Sequence, residues 1–350
     1  MKFDFIIGNP PYQEDTEGTS DNPIYNDFMD ASYQLSDKVE LISPARFLFN
    51  AGKTPKAWNE KMLNDPHVKV LYYEQNSGKV FGNTDIKGGV AITYRDRTKN
   101  FGPIEVFTSY NELNDIREKI VNRKDFDTFS DLIFAPESYK FSDSIHKDHP
   151  EIRFKEVEGE NIGRLSKGHD YDIVTNIFEK LPDIFLDSKP QDGKEYVGFV
   201  GLIDNKRYTK WIRRDYIKDH ENLEKYKVIL PKSNGSGAIG EVLSTPLIGE
   251  PLIGHTQSFI SIGSFDSQVE AINAMKYIKT KFARTALGIL KITQDNKKGT
   301  WRFVPLQDFT STSDIDWSKS VAEVDQQLYA KYGLDEKEIE FIESHVKEME

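Results

Sequence analysis

Phe3-Asp-Phe-Ile-Ile-Gly-Asn-Pro-Pro-Tyr-Gln13 is the stretch on which the fold turns. Residues 3–7 are mostly apolar and rich in aromatic and β-branched side chains, the composition of a short buried strand. Gly8 ends it. Pro10 and Pro11 have no backbone N–H, so no ladder continues past them. The product is a strand whose carboxyl end opens into a stiff loop, Asn9-Pro10-Pro11-Tyr12. Ligand sites in open α/β sheets lie at such strand ends.

Outward from this stretch the chain alternates helix and strand. Residues 13–22 are acidic and polar, contain Gly18 and Ser20, and are expected to be mobile. Residues 26–35 read as a helix with Phe28, Ala31 and Leu35 on its apolar face. Residues 39–43 read as a second buried strand, closed by Pro44. Pro55 stands where a helix through Trp58, Met62 and Leu63 begins. Residues 68–73 and 88–94 are two more strands. This order, strand–helix–strand–helix–strand–strand, fits one half of a doubly wound sheet.

The loop has a specific chemical use. An exocyclic amine on a nucleobase is a poor nucleophile because its lone pair is delocalised into the ring. Two acceptors that take both of its hydrogens favour a pyramidal nitrogen and free the lone pair for attack. The Asn9 side-chain oxygen and the Pro10 carbonyl are candidates for that pair, with Tyr12 to stack on the base. A stiff Pro-Pro turn without chemistry is the plainer alternative.

Asn-Pro-Pro-Tyr after an Asp-x-Ile-Ile-Gly strand resembles the catalytic motif of amino-group DNA methyltransferases, chiefly the adenine-N6 kind. The resemblance implies a Rossmann-like methyltransferase sheet and S-adenosylmethionine as methyl donor. It makes Asn9, Pro10, Pro11 and Tyr12 the catalytic loop. In that family an aromatic residue at the place of Phe81, in Val80-Phe81-Gly82, packs against the extruded base opposite the loop tyrosine. Extrusion is needed because the amine is otherwise stacked and paired. An ordinary core aromatic is the alternative for Phe81. The family's glycine-rich cofactor turn has no counterpart: Gly235-Ser-Gly237 with Gly240 reads as a loop, and cofactor-binding residues stay unassigned. The expectation is an incomplete cofactor site whose missing half a partner chain supplies.

The 350 residues carry a net charge of −11 and no cysteine. A disulfide framework and thiolate zinc sites are excluded, which suits a reducing cytoplasm. The N-terminus has one Lys and no small-residue cleavage site, so no leader is expected. No apolar run approaches the roughly 20 residues of a membrane span. An acidic total argues against nucleic acid, but the charge is segregated. Residues 1–30 hold one basic and seven acidic groups, and residues 308–350 hold four and twelve. Residues 276–302 hold eight basic and one acidic, and residues 204–218 six and two. A local basic face is the relevant footprint. Lys206, Arg207, Lys210, Arg213 and Arg214, interleaved with Tyr208 and Tyr216, are candidate contacts to double-stranded DNA. So are Lys276, Lys279, Lys281, Arg284 and Lys291. Solvated charged surface is the alternative. His146 and His149 have metal-like spacing without a third ligand, so an exposed loop and no metal site are expected.

From residue 151 the pattern changes to short strands and tight turns. Residues 267–287 read as one helix, apolar at Val269, Ile272, Met275, Ile278 and Phe282 and basic on its other side. Thr256-Gln-Ser-Phe-Ile-Ser261, Lys291-Ile-Thr-Gln294 and Trp301-Arg-Phe-Val-Pro305 resemble the target-recognition region of fused restriction–modification methyltransferases. Ser320 and Glu323 form a capping box for a helix that Gly333 ends, and Asp335 and Glu338 start another. The expected organisation is a partial doubly wound catalytic half over 1–104, a connector over 105–150, a mixed α+β target-recognition domain over 151–312 and C-terminal helices over 313–350. No Glu-x-Lys occurs, so the usual carboxylate–lysine nuclease core has no candidate. Two functions remain open. One is part of a site-specific adenine-N6 DNA methyltransferase of a restriction–modification system. The other is a DNA-specificity subunit or remnant without chemistry.

Overall fold

The computed structural model describes residues 3–14, 22–82, 84–108, 110–235, 237–291 and 293–349, with Asn111 described by its backbone alone. The chain is mixed α/β, with several small sheets, and divides into two units, Met1–Asn111 and Glu112–Glu350.

The first unit is built from β1 (Ile6–Gly8), α1 (Tyr25–Leu35), β2 (Lys38–Pro44), α2 (Lys56–Asn64), β3 (Val68–Glu74) and β4 (Val90–Asp96). Its sheet has the order β1–β2–β4–β3. β1 runs parallel to β2, with Ile6 opposite Val39 and Gly8 opposite Leu41. β4 is antiparallel to both β2 and β3, so β1, β2 and β3 share one direction. Val39 and Leu41 of β2 join Tyr25, Met29, Phe47, Trp58, Met62 and Val68 in one core. Their spacing of two puts both on one face of the strand.

Two expectations about this unit are corrected. Residues 3–7 do not form a buried strand. The ladder covers Ile6–Gly8, with an isolated bridge from Phe3 to Ser36, and Phe3, Phe5 and Ile7 are 48%, 44% and 71% exposed. β1 pairs on one side only, and of its apolar residues Ile6 packs on the core. Helix α1 buries Tyr25, Asn26 and Met29, and leaves Phe28 and Leu35 exposed. The Phe3 N–H donates to the Leu35 carbonyl at the end of α1. An apolar strand edge with free backbone groups is a template for pairing. Residues 15–21 of the segment expected to be mobile lie outside the described residues; Gln13–Glu14 pairs with Asn22–Pro23.

The second unit contains α3 (Asn111–Val121), whose first residue ends the first unit, then β5 (Ile133–Phe134), β6 (Tyr196–Ile203), β7 (Lys206–Arg213), β8 (Tyr226–Pro231), β9 (Leu247–Gly249), β10 (Ile253–His255) and β11 (Phe259–Phe265). Helices α4 (Gln268–Lys279), α5 (Lys281–Gly288), α6 (Val321–Tyr332) and α7 (Glu336–His345) follow. The strands make two sheets, β7–β6–β10 and β9–β8–β11–β5. Asp204 and Asn205, at φ 48° and 59°, turn the β6–β7 hairpin with the double positive φ that a two-residue loop demands.

The stretch read as a connector belongs, from Glu112, to this unit: β5 pairs with β11, and Phe129 and Phe141 are fully buried. His146 is not in an exposed loop. It lies on the short helix Asp143–Asp148, is 6% exposed, and its Nε2 is 2.8 Å from the Asp170 carbonyl. Residues 267–287 are two helices, because Thr280 stops α4 and caps α5, its Oγ1 accepting from the Ala283 N–H at 3.1 Å. The small residues Ala271 and Ala274, with Tyr277 and Ile278, take the buried face, while Val269 and Ile272 are exposed. Both C-terminal helices open on capping boxes, at Ser320 and Asp335, and Gly333 ends α6 with φ 62°. Both pack on α5.

Candidate active site

The Asn9–Tyr12 loop leaves β1 where the prolines forbid pairing. The Tyr12 carbonyl accepts from the Ile24 N–H at 3.2 Å, and the Gln13–Glu14 ladder closes the loop behind it. Asn9 and Pro11 are exposed; Pro10 and Tyr12 are half-buried. The Tyr12 hydroxyl is enclosed and makes no hydrogen bond of ordinary geometry among the described residues. Burial raises its pKa, and the adjacent Asn9 side chain offsets part of that rise.

Phe81 is brought to this loop by a hub that the sequence did not advertise. Ser77 is 2% exposed. Its Oγ donates to the Thr84 carbonyl at 3.1 Å and accepts from the Ile86 N–H at 2.8 Å. Its carbonyl accepts from the Phe81 N–H at 2.8 Å. The Phe81 and Tyr12 rings meet edge to face, 6.4 Å between centroids at 65°. A planar base sandwiched between two rings needs them near parallel and about 7 Å apart, from a contact distance of about 3.5 Å on each face. One ring must therefore turn to admit a base.

Around these residues lies an open cleft of about 1040 Å³. Asn9 to Gln13, Tyr25, Pro44, Phe81 and residues 84–87 line it, with Arg46 and Lys53. Among the described residues its charged lining is Arg46, Lys53, Lys87 and Asp85. Arg46 lies past the carboxyl end of β2, separated from it by Ala45.

The predicted DNA contacts fare unevenly. Lys206 is exposed with no partner among the described residues, and Tyr208 beside it is 45% exposed. Arg207 is half-buried, donates to the Thr245 carbonyl at 2.6 Å and lies over the Phe259 ring. Lys210 pairs with Asp187, Arg213 with Asp148 and Asp215, and Arg214 with Asp219 and Glu224. These carboxylates cancel much of the field that the sequence count suggested. The second group is corrected further, because it faces protein. Lys276 donates to the Trp317 and Lys319 carbonyls, both at 2.6 Å. Lys281 pairs with Glu343. Lys279 is half-buried and engaged. Arg284 is 3% exposed, and Lys291 is 6% exposed and donates to the Asn234 carbonyl at 2.9 Å. The break at Thr280 restarts the helical period, and the C-terminal helices cover the side that was read as a basic face.

A nucleoside-bearing methyl donor needs backbone close to its phosphate-free ribose and methionine ends, usually at a glycine turn between strand and helix. Gly52 and Gly88, beside the cleft, are filled by the Arg46 stem. Gly235 packs on Glu241, and Gly240 on the His345–Val346 backbone. None of these four glycines leaves open space for a methyl donor, and no residue is assigned to one. Among the described residues no group of three His, Asp or Glu is placed to hold a metal, and no helix is long and apolar enough to cross a membrane.

Comparisons with known proteins bear on the same stretch. Residues 1–81 match the model of the Eco57I restriction-modification methylase family. An uncharacterized adenine-specific methylase of Mycoplasma pneumoniae is 32% identical over 95 residues, which are 26% of this chain and 22% of that protein. Among solved structures, the type IIG restriction endonuclease BpuSI aligns with 93% of this chain and 48% of its own, at 10% identity and a TM-score of 0.35. The type IIL restriction-modification enzyme MmeI in complex with DNA aligns with 98% of this chain and 56% of its own, at 10% identity and a TM-score of 0.42. The chain spans under a quarter of its curated relative and about half of each solved structure. Residues 1–81 are therefore similar to the Eco57I restriction-modification methylases, and a stretch of 95 residues is similar to an adenine-specific methylase.

Proposed function

We propose that the first unit is the target-base half of an adenine-N6 DNA methyltransferase of a restriction–modification system. The observation that carries this reading is the Asn9–Tyr12 loop leaving the carboxyl end of β1 into a cleft, with Phe81 against Tyr12. Asn9 and the Pro10 carbonyl take the two hydrogens of the amine. Tyr12 and Phe81 hold the ring of a base extruded from duplex DNA. The ammonium formed on methylation loses its proton to water, so no side-chain base is required. Residues 151–312 act in this reading as the target-recognition domain on double-stranded DNA, steadied by the helices of 313–350.

The methyl donor is S-adenosylmethionine, held by protein outside residues 1–350, on a partner chain or elsewhere in the same polypeptide. The uncovered Phe3, Phe5 and Ile7 side of β1 supports that arrangement, since a further strand there would bury them. The test is the product. DNA treated with the assembled protein and labelled donor, digested to nucleosides and separated by mass spectrometry, should contain N6-methyladenine. Methylated cytosine would overturn the adenine assignment. DNA and donor binding with no methylated base would favour the specificity-subunit reading.

A further inference from the structure

The strongest feature that the catalytic loop leaves unexplained is Arg46. It is the first residue of the turn Arg46–Phe49, which follows β2 after Ala45. The Ala45 N–H donates to the Gly89 carbonyl at 3.0 Å, and the Gly89 N–H to the Ile86 carbonyl at 2.9 Å. These bonds tie the Arg46 turn to the segment that carries Phe81.

Two glycines then fix its stem. Gly52 and Gly88 have φ of 93° and 88°, a region that side chains rarely enter. A Cβ on Gly88 would stand 2.5 Å from Arg46 Cγ, and one on Gly52 3.2 Å from Arg46 Cβ. The stem thus runs where both backbones leave room for it. The guanidinium beyond it is exposed, lines the cleft, and has no hydrogen bond or ion pair among the described residues. A cation with an ordered stem and an unused five-donor head is prepared for an external anion. Lys87, next to Gly88, also lines the cleft and has no partner among the described residues.

We propose that Arg46, with Lys87 beside it, grips the phosphodiester of the nucleotide whose base enters between Tyr12 and Phe81. This rests on the reading of the cleft as a base pocket. The base supplies ring surface and an amine to Asn9 and Pro10; the sugar then carries its phosphates to the rim. A planar guanidinium matches two phosphate oxygens at once, which an ammonium does not. Arg46 is a positioning residue: it fixes the nucleotide so that the amine meets its acceptors, and takes no part in bond making.

The test uses two probes on the 350-residue chain, 2′-deoxyadenosine and 2′-deoxyadenosine 3′,5′-bisphosphate, with affinities from ligand-observed NMR. The bisphosphate should bind about tenfold tighter than the nucleoside. Arg46→Ala should bring that ratio to about two or less and leave nucleoside affinity unchanged. Arg46→Lys should retain part of the preference, and Asn9→Ala should weaken both probes equally. Nucleoside binding with a tenfold ratio that survives Arg46→Ala overturns the Arg46 assignment and leaves the base pocket standing. Failure of both probes to bind overturns the pocket and the assignment together.

Discussion

Arg284→Ala separates folding from the DNA binding proposed for the second unit. The guanidinium is 3% exposed. Its Nε donates to the Lys279 carbonyl at 3.1 Å, Nη1 to Gly240 and Glu241 at 3.2 and 3.4 Å, and Nη2 to Lys347. It joins the α4–α5 junction, the Gly240 loop and the chain after α7. Each bond from a charged donor contributes about 1.5 kcal/mol at the weak end, about 6 kcal/mol for the set. Burial lowers the guanidinium pKa from 12.5 to about 10. That offsets about 3 kcal/mol, which truncation returns. The net loss is about 3 kcal/mol, or about 6–12 °C in Tm for a unit of this size. Urea and thermal unfolding read the loss. DNA affinity of the folded variant, by anisotropy with duplex DNA, should change less than twofold. Lys206→Glu is the counterpart: Tm should move by about 1 °C or less, and affinity should fall with a shallower salt slope. An unchanged Tm with a several-fold affinity loss in Arg284→Ala would put the guanidinium on the surface and refute the argument.

Lys227 is fully buried, with its ammonium on the Leu223, Glu250 and Ile253 carbonyls, and burial lowers its pKa from 10.5 to about 7. The unfolded chain therefore holds more protons between about pH 7 and 10, and stability should rise with pH across that window. Lys227→Met should flatten that rise and be no less stable than the parent at pH 6, by urea unfolding at pH 6, 8 and 10; lower stability at pH 6 with an unchanged slope would contradict this. Ile7→Lys, at a position 71% exposed, should leave the stability of the 350-residue chain within about 0.5 kcal/mol while, under the proposed arrangement, impairing the docking of the donor-binding half on β1. A loss of about 2 kcal/mol in the chain alone would mean that this face is already covered.

What the sequence made legible was local. Capping residues acted where they stood: Ser320 with Glu323, Asp335 with Glu338, and Gly333 each formed the terminus read from them. In the first unit α1, α2, β2, β3 and β4 also followed from periodicity and prolines, whereas the first strand was read as longer and more buried than β1 is. Facing was less legible, because it depends on partners distant in sequence. Phe28 and Leu35 look like a core face, yet Tyr25 and Met29 are the ones that meet β2 and α2. Thr280 looks like one more residue in a long helix, but its hydroxyl caps a new one and turns Arg284 inward. Basic residues counted along the chain said nothing of Asp187, Asp148 or Asp219, which approach Lys210, Arg213 and Arg214 only in the fold. In the candidate site, Asn9 to Tyr12 and Phe81 were readable from their motifs. Ser77 and Arg46 were not, since a buried hydroxyl hub and a stem between two glycines exist only in three dimensions.

Single-turnover methyl transfer by Asn9→Ala, in the assembled enzyme with saturating donor and DNA, tests the central claim most directly. Asn9 is exposed at the cleft, so the fold should be untouched. Loss of one acceptor from the reacting amine should slow transfer by about 10²–10³-fold, the cost of removing one preorganised hydrogen-bonding group from a reacting centre. DNA affinity should stay within about twofold. Transfer within tenfold of the parent rate would show that Asn9 does not hold the amine, and the cleft would lose its catalytic assignment.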